Sequence, residues 1–338
     1  LKTGVLLLNL GTPDRCDEVS VRRYLGEFLM DPHVIDIPWI ARYLLVNGII
    51  LRTRPKKSTE AYEKVWTERG SPLLFHTVDL AEKVQKRLGD SFRVLPTMRY
   101  GNPGVLAALE EFSKLGIERV VTVPLYPQFA RATTHSSIEW VRAEAEKIGF
   151  RGELRFVPAF YRNEAFLDAF AENLRTEQAR SESDFVLFSF HGLPERQIQK
   201  VDPTGAHCMR VKECCEKITE ANQDCYRAQC FSTARGIAER AGLARDRYEI
   251  AFQSRLGRAQ WIRPYTDVTI RKLASSGKAK RLLVVSPSFV ADCLETIEEL
   301  GIRAREDFIA SGGTELRLVP SLNSSDAWAE CVKDLVLA

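Results

Sequence analysis

Short apolar runs rich in β-branched residues alternate with longer stretches of three- and four-residue apolar spacing along nearly the whole chain. The runs are Val5–Leu10, Val94–Met98, Arg119–Val123, Arg155–Pro158, Phe185–Phe190, Glu249–Phe252, Arg281–Val285 and Leu316–Val319. Between them, Val105–Leu115, Ser137–Ile148 and Asp267–Ala274 carry the helical period. This alternation is the pattern of parallel strands joined by crossover helices, and it predicts an α/β fold with parallel sheets flanked by helices.

The two halves of the chain resemble each other. Val5-Leu-Leu-Leu-Asn-Leu-Gly-Thr-Pro13 matches Val186-Leu-Phe-Ser-Phe-His-Gly-Leu-Pro194. Met98-Arg-Tyr-Gly101 then matches Ser254-Arg-Leu-Gly257, and Val121-Thr-Val-Pro124 matches Val284-Val-Ser-Pro287. Three correspondences in the same order predict a duplicated unit, with motif-bearing loops at the carboxyl ends of the strands, where such sheets bind ligands. The expected division is residues 1–155 and 156–307, with 308–338 packing back on the first unit.

Composition narrows the function. At 338 residues, 45% hydrophobic and 28% charged, the chain is long enough for about two ordinary globular domains. Lys and Arg number 48 against 45 Asp and Glu, a net charge of +3, which argues against nucleic acid as the main partner. No apolar run reaches the ~18 residues of a membrane span. The opening run Gly4–Leu10 reads as a buried strand rather than a secretory signal. No strand is followed by a dinucleotide or Walker-type glycine loop, which disfavours nucleotide chemistry.

His191 ends an apolar strand and precedes Gly192-Leu193-Pro194, so its imidazole is expected at a strand tip, where it could accept a proton or bind a metal. The matching position in the first half is Leu10, so the fold itself has no need of a polar group there. After Pro287, helical spacing sets Asp292, Glu295 and Glu299 on one face, and stacked carboxylates attract cations and raise one another's proton affinity. Tyr100, Tyr126, Phe129, Trp261 and Phe289 fall at strand-end loops and suit a flat apolar ligand. Arg54, Lys57, Arg99 and Arg255 are candidate partners for its carboxylates. Val34–Leu51, apolar but interrupted by Asp36, Arg42 and Asn47 and followed by Arg52, Arg54, Lys56 and Lys57, suits either a buried helix or an interfacial segment with a basic edge.

Five of the eight cysteines, Cys208, Cys214, Cys215, Cys225 and Cys230, crowd into one window of 23 residues. In a reducing compartment clustered thiols point to metal rather than disulfides. Their spacing matches neither paired zinc knuckles nor a ferredoxin run. Four thiolates of the five could hold a zinc ion or a [2Fe-2S] cluster.

The motifs resemble those of ferrochelatases over nearly the whole chain. They include Asn9-Leu-Gly-Thr-Pro13, Gly70-Ser-Pro-Leu73, Leu125-Tyr-Pro-Gln-Phe129, Leu187-Phe-Ser-Phe-His-Gly-Leu-Pro194 and Phe252-Gln-Ser-Arg-Leu-Gly257. Trp261, Pro264-Tyr-Thr-Asp267 and Asp292-Cys-Leu-Glu-Thr-Ile-Glu-Glu-Leu300 continue the likeness. The resemblance implies two Rossmann-like domains around a porphyrin cleft and insertion of Fe2+ into protoporphyrin IX, the last step of haem synthesis. It implies His191 as the active-site histidine and Glu295 as its paired acid, with Asp292 and Glu299 on an iron path or proton relay. Ile35, Arg54, Ser71, Arg99, Tyr100, Tyr126, Ser254, Trp261 and Phe289 would bind porphyrin, and the neighbourhood of Ile35 would touch a membrane surface from the cytoplasmic side. The insert at about 203–230 resembles that of bacterial members with an internal [2Fe-2S] cluster, with zinc as the alternative. The rival readings are a chelatase for another metal or tetrapyrrole, such as cobalt or coproporphyrin, and a non-catalytic porphyrin or haem carrier with a redox-sensing cluster.

Overall fold

The computed structural model describes residues 2–338 except 256 and 258. Leu256, inside the Phe252–Gly257 motif, therefore lies outside the described residues. All eight expected strands form: β1 (Thr3–Gly11), β2 (Phe92–Tyr100), β3 (Arg119–Pro124), β4 (Glu153–Phe156), β5 (Phe185–His191), β6 (Tyr248–Gln253), β7 (Arg281–Val285) and β8 (Glu315–Leu318). They make two four-stranded sheets, ordered β2-β1-β3-β4 and β6-β5-β7-β8, with every pairing parallel. The identical order bears out the duplicated architecture. In each sheet the chain leaves the central strand to one side and returns to the other, so the crevice at the carboxyl ends of β1 and β3, or of β5 and β7, is where such a sheet accommodates ligands.

Helices cover the sheets, which is why β1 and β5 read as almost unbroken apolar runs. In the first unit Leu6, Leu8 and Val120 of the sheet pack with Val105, Leu109, Phe112 and Val141 of helices Val105–Lys114 and Ser136–Lys147. In the second, Leu187, Leu282 and Val284 pack with Ile270 and Leu273 of helix Thr266–Ser275 and with Leu300 and Phe308.

The chain divides into one unit of residues 1–126, 131–159 and 323–338 and another of 127–130 and 160–322. The last sixteen residues, 323–338, cluster with the first unit. The rest of 308–338 stays in the second unit because β8 pairs with β7 there. Helix Asp326–Leu337 is fastened to the first unit, where Arg87 donates to Asp326 and Arg155 to the carbonyl of Leu335.

The register also shifts the internal match. Gly11 lies opposite Tyr100, and His191 opposite Gln253, so Ser254 is the counterpart of Tyr100 rather than of Met98. The sequence comparison missed this offset of two residues because β6 is shorter than β2.

Gly11 closes β1 with φ +122°, and a Cβ there would sit 1.9 Å from the carbonyl oxygen of Tyr100. Left-handed strain of this kind costs about 1–3 kcal/mol before any clash is counted. Gly11→Ala is therefore expected to lower the urea midpoint by at least that equivalent, and an unchanged midpoint would contradict the close approach of β1 and β2.

Candidate active site

His191 stands at the carboxyl end of β5, and both sides of its peptide are pinned. Its N–H donates to Ser288 Oγ at 3.1 Å, and the Tyr226 hydroxyl donates to its carbonyl at 2.9 Å. The ring Nδ1 lies 2.7 Å from the Gly192 carbonyl oxygen. A carbonyl only accepts, so Nδ1 carries the hydrogen and Nε2 keeps a lone pair. Phe289, just past β7, meets the imidazole edge-on with centroids 6.1 Å apart. Gly192 is required next to it: a Cβ would come within 2.8 Å of the Gln253 carbonyl oxygen and 3.2 Å of the Trp261 ring. The tip of β5 thus carries an imidazole packed edge-on against Phe289, with Trp261 beside the next residue, Gly192.

The acids follow from the segment after β7. Glu295–Ala304 winds as a π-helix rather than the expected α-helix, a form that recurs at functional sites. Gln253 fixes its start, donating to the Glu295 carbonyl at 2.9 Å while accepting from Ser189 Oγ at 2.7 Å. The Glu299 carboxylate accepts from the Ser254 N–H at 2.9 Å and Oγ at 2.5 Å. Ser254 holds φ +64° to present both donors. Burial lifts the Glu299 carboxyl above the usual carboxylate range, against the Ser254 hydrogen bond and the pull of His191, while the charge of Glu295 adds to the rise. His191, Glu295 and Glu299 therefore form one electrostatic group. Asp292 precedes the helix and turns elsewhere, accepting from Thr296 Oγ1 at 3.0 Å and the Ser321 N–H at 3.4 Å. Glu298, on the buried side of the segment, pairs with Arg303.

In the first unit, Ser71 is buried and its Oγ accepts from Thr12 Oγ1 at 2.8 Å. Asp31, itself buried, gathers Arg99 at 2.6 Å, the Tyr100 hydroxyl at 2.8 Å and Ser136 Oγ at 2.5 Å. Burial alone would raise the Asp31 carboxyl, but the hydrogen bonds of Ser136, the His33 backbone and Tyr100, with the charge of Arg99, hold it below the usual range. The Arg99 guanidinium also lies over the Tyr100 and Trp140 rings. Tyr126 is buried and accepts from Ser137 at 3.4 Å. Arg54 is exposed between helices Leu51–Thr53 and Pro55–Glu63, and the Ile35 carbonyl accepts from Arg42. Trp39, Ile40, Tyr43, Leu44 and Ile49 are large apolar side chains left exposed along one short helical stretch. Among the described residues no helix is long and apolar enough to cross a membrane.

The five clustered cysteines are buried free thiols. Asp202 shapes their loop by accepting from the N–H groups of His207 and Cys208, both at 2.8 Å, and Asn222 donates to the Cys214 carbonyl at 2.7 Å. A hydrogen bond with Cys208 heads the causes that push the Cys225 thiol up to about 12. One with Cys225 and then burial raise Cys215, and burial raises Cys230, which also feels Cys225 and Cys215. Cys225 thus interacts with both Cys208 and Cys215, and Cys214 Sγ lies 3.8 Å from Cys215 Sγ. Arg227 Nη1 lies 3.0 Å from Cys215 Sγ, a counter-charge suited to a thiolate.

Sequence reading missed three supports of His191 and its acids. Gln253 lay within the Phe252–Gly257 motif and Ser288 beside Pro287 and Phe289, without a signal for what they hold. Tyr226 carried only its place beside Cys225.

Comparison with known proteins places these features in context. The ferrochelatase family profile matches residues 2–338. A ferrochelatase of Azotobacter vinelandii is 47% identical over 333 residues, covering 98% of this chain and 97% of that protein. One of Pseudomonas aeruginosa is 44% identical, covering 99% and 97%. SirB from Bacillus subtilis, solved with Fe3+, shares the fold at a TM-score of 0.55 and 11% identity, covering 99% of this chain and 96% of that one.

Because the Glu299 carboxyl is raised in the folded state, its stabilising form is the protonated one. That contribution is full below the unfolded value of about 4.3 and is lost as pH rises through the folded value. Glu299→Gln should therefore be at least as stable as the parent at pH 8 and lose any advantage at pH 4. Denaturant midpoints at the two pH values measure this; a deficit confined to pH 8 would contradict it.

Proposed function

This chain belongs to the ferrochelatase family, and from that premise we propose how its own residues insert Fe2+ into protoporphyrin IX. The protein is a metal chelatase of haem synthesis. Metallation requires the macrocycle to lose two pyrrole protons while the divalent ion sheds its waters. His191 takes a pyrrole proton at Nε2, the nitrogen that its Nδ1–H···O bond to Gly192 leaves with a lone pair. The imidazolium so formed is stabilised by Glu295 and Glu299. Glu299, whose carboxyl is already raised by burial, is suited to receive the proton from it. Ser254 holds that carboxylate, and Asp292, which accepts from Thr296, is proposed to continue the proton relay or iron path behind Glu295.

The macrocycle is an apolar disc with two carboxylate arms. Phe289, which meets the imidazole, and Trp261, beside Gly192, are proposed to grip the macrocycle's face together with Ser254. A buckled ring would turn the nitrogen lone pairs outward, and each 1.36 kcal/mol of barrier removed is tenfold in rate. From the first unit Ile35, Ser71, Tyr100 and Tyr126 are proposed as porphyrin-binding residues and Arg54 as a propionate partner. Arg99, committed to Asp31, acts by fixing Tyr100. The exposed apolar stretch from Trp39 to Ile49, edged by Arg52, Lys56 and Lys57, supports peripheral contact with a membrane surface.

The single observation carrying this reading is the His191 tautomer in the β5–β7 crevice. His191→Ala and Glu295→Gln are each expected to cut the rate of Fe2+ insertion at least 100-fold while porphyrin still binds, measured by haem formation and by fluorescence quenching. Ordinary turnover in either variant would refute its role.

We also propose that Cys208, Cys215, Cys225 and Cys230 hold a [2Fe-2S] cluster. The interaction of Cys225 with Cys208 and Cys215, the burial of all four thiols and the adjacent Arg227 support that reading. The cluster would supply a one-electron centre and staple the insert, with no open position for substrate. Protein isolated without air is expected to contain two iron and two sulfide per chain and to show visible absorbance that Cys215→Ser abolishes. One zinc and a colourless solution would replace the cluster with zinc, and neither metal would overturn the assignment.

A further inference from the structure

A second group of metal-ligating side chains lies in the first unit, on residues that the insertion chemistry does not use. We propose that His33, His135 and Glu139 form a binding site for a divalent transition-metal ion of the zinc class. The donors are Nε2 of both imidazoles and one carboxylate oxygen. His33 Nε2 is 3.2 Å from Glu139 Oε2, and His135 Nε2 is 3.1 Å from Glu139 Oε1. The ligand atoms all lie within 4.8 Å of one another. In a tetrahedral zinc site, with bonds of about 2.0–2.1 Å, neighbouring ligand atoms stand about 3.3 Å apart. Both histidine-to-carboxylate spacings are within tenths of an ångström of that value.

The backbone prepares this arrangement. His135 ends a π-helical turn, Arg131–His135, directly before helix Ser136–Lys147, and Glu139 follows four residues later on the same face. His33 comes from the loop after helix Glu18–Leu29, and its ring crosses that of His135 at 72° with centroids 5.1 Å apart. The buried Asp31 sets both pieces. Its Oδ1 accepts from the His33 N–H at 2.7 Å and lies 3.1 Å from His33 Nδ1, while its Oδ2 accepts from Ser136, the residue after His135.

A second, independent observation is the orientation of His33. The carboxylate of Asp31 only accepts, so His33 Nδ1 bears a hydrogen and Nε2 is the ring atom turned toward Glu139, 3.2 Å away. A carboxylate behind a histidine in this way is the usual outer support of a metal ligand. Two imidazoles and one carboxylate suit zinc, cobalt, nickel or ferrous iron, whereas magnesium and calcium prefer all-oxygen sets. The side chains are 18%, 37% and 52% exposed for His33, His135 and Glu139, so an ion reaches them directly from solvent, with water completing its coordination.

The test uses the full chain and Zn2+ itself. Equilibrium dialysis against Zn2+ is run on the parent, His135→Ala, Glu139→Gln and, as a control for the other histidine site, His191→Ala. His135→Ala and Glu139→Gln should each bind one equivalent fewer, or bind it at least 10-fold more weakly, while His191→Ala retains that equivalent. Glu139 is half exposed, so its variant keeps the test decisive if His135→Ala folds poorly. Both variants titrating like the parent would overturn the site, and Mg2+ competing as well as Co2+ would overturn the assigned class. Because the readout is metal binding, failure of the His191 mechanism leaves this result unaffected.

Discussion

The proposed chemistry depends on one short contact, the hydrogen bond from His191 Nδ1 to the Gly192 carbonyl. It chooses the tautomer, and the tautomer decides that Nε2 is the atom able to take a proton. The contact exists because β5 ends where it does. A residue larger than glycine at 192 would strike the Gln253 carbonyl and the Trp261 ring, and the strand tip would have to move. Ser288 from the β7 side and Tyr226 from the helix after the cysteine insert hold the same peptide in place. Three separate elements thus converge on one residue, and none of them is needed for the sheet to form.

The convergence joins the cysteine insert to the site. Tyr226 follows Cys225 at the start of helix Tyr226–Arg240, and its hydroxyl reaches the His191 carbonyl. Whatever orders the thiols also orders that helix start, so the insert acts on the histidine through a backbone contact rather than through substrate. The acids are organised by comparable means. Gln253 and Ser254 lie at the end of β6, and they bind the backbone of Glu295 and the carboxylate of Glu299 respectively. A strained serine and a π-helical turn at this one place are departures from regular geometry of the kind found where function, rather than stability, sets the conformation.

Much of the fold was legible because its signals are local. Parallel strands covered on both faces must be apolar along their length, so eight runs could be located and each formed. The swap of Leu10 for His191 between the repeats marked the site from sequence alone, since a core position does not change to an imidazole for packing. What was not legible depended on contacts between distant segments. The register of β6 against β5 moved the partner of Tyr100 by two residues. The segment after β7 begins as a π-helix at Glu295, a departure from the α-helical spacing that the sequence suggests. Arg99, read as a free cation for a ligand, is claimed by Asp31, a residue 68 positions earlier that carried no signal. The pairing of β8 with β7 is likewise a contact between distant segments.

The account stands on Nε2 of His191 as the proton acceptor, and chemical rescue tests that atom directly. In His191→Gly the space left by the ring is open to free imidazole while Glu295 and Glu299 remain. Fe2+ insertion by this variant is predicted to rise with imidazole concentration and to follow the basicity of substituted imidazoles, with porphyrin affinity unchanged. A variant that binds porphyrin yet stays equally slow at every imidazole concentration would contradict the assignment.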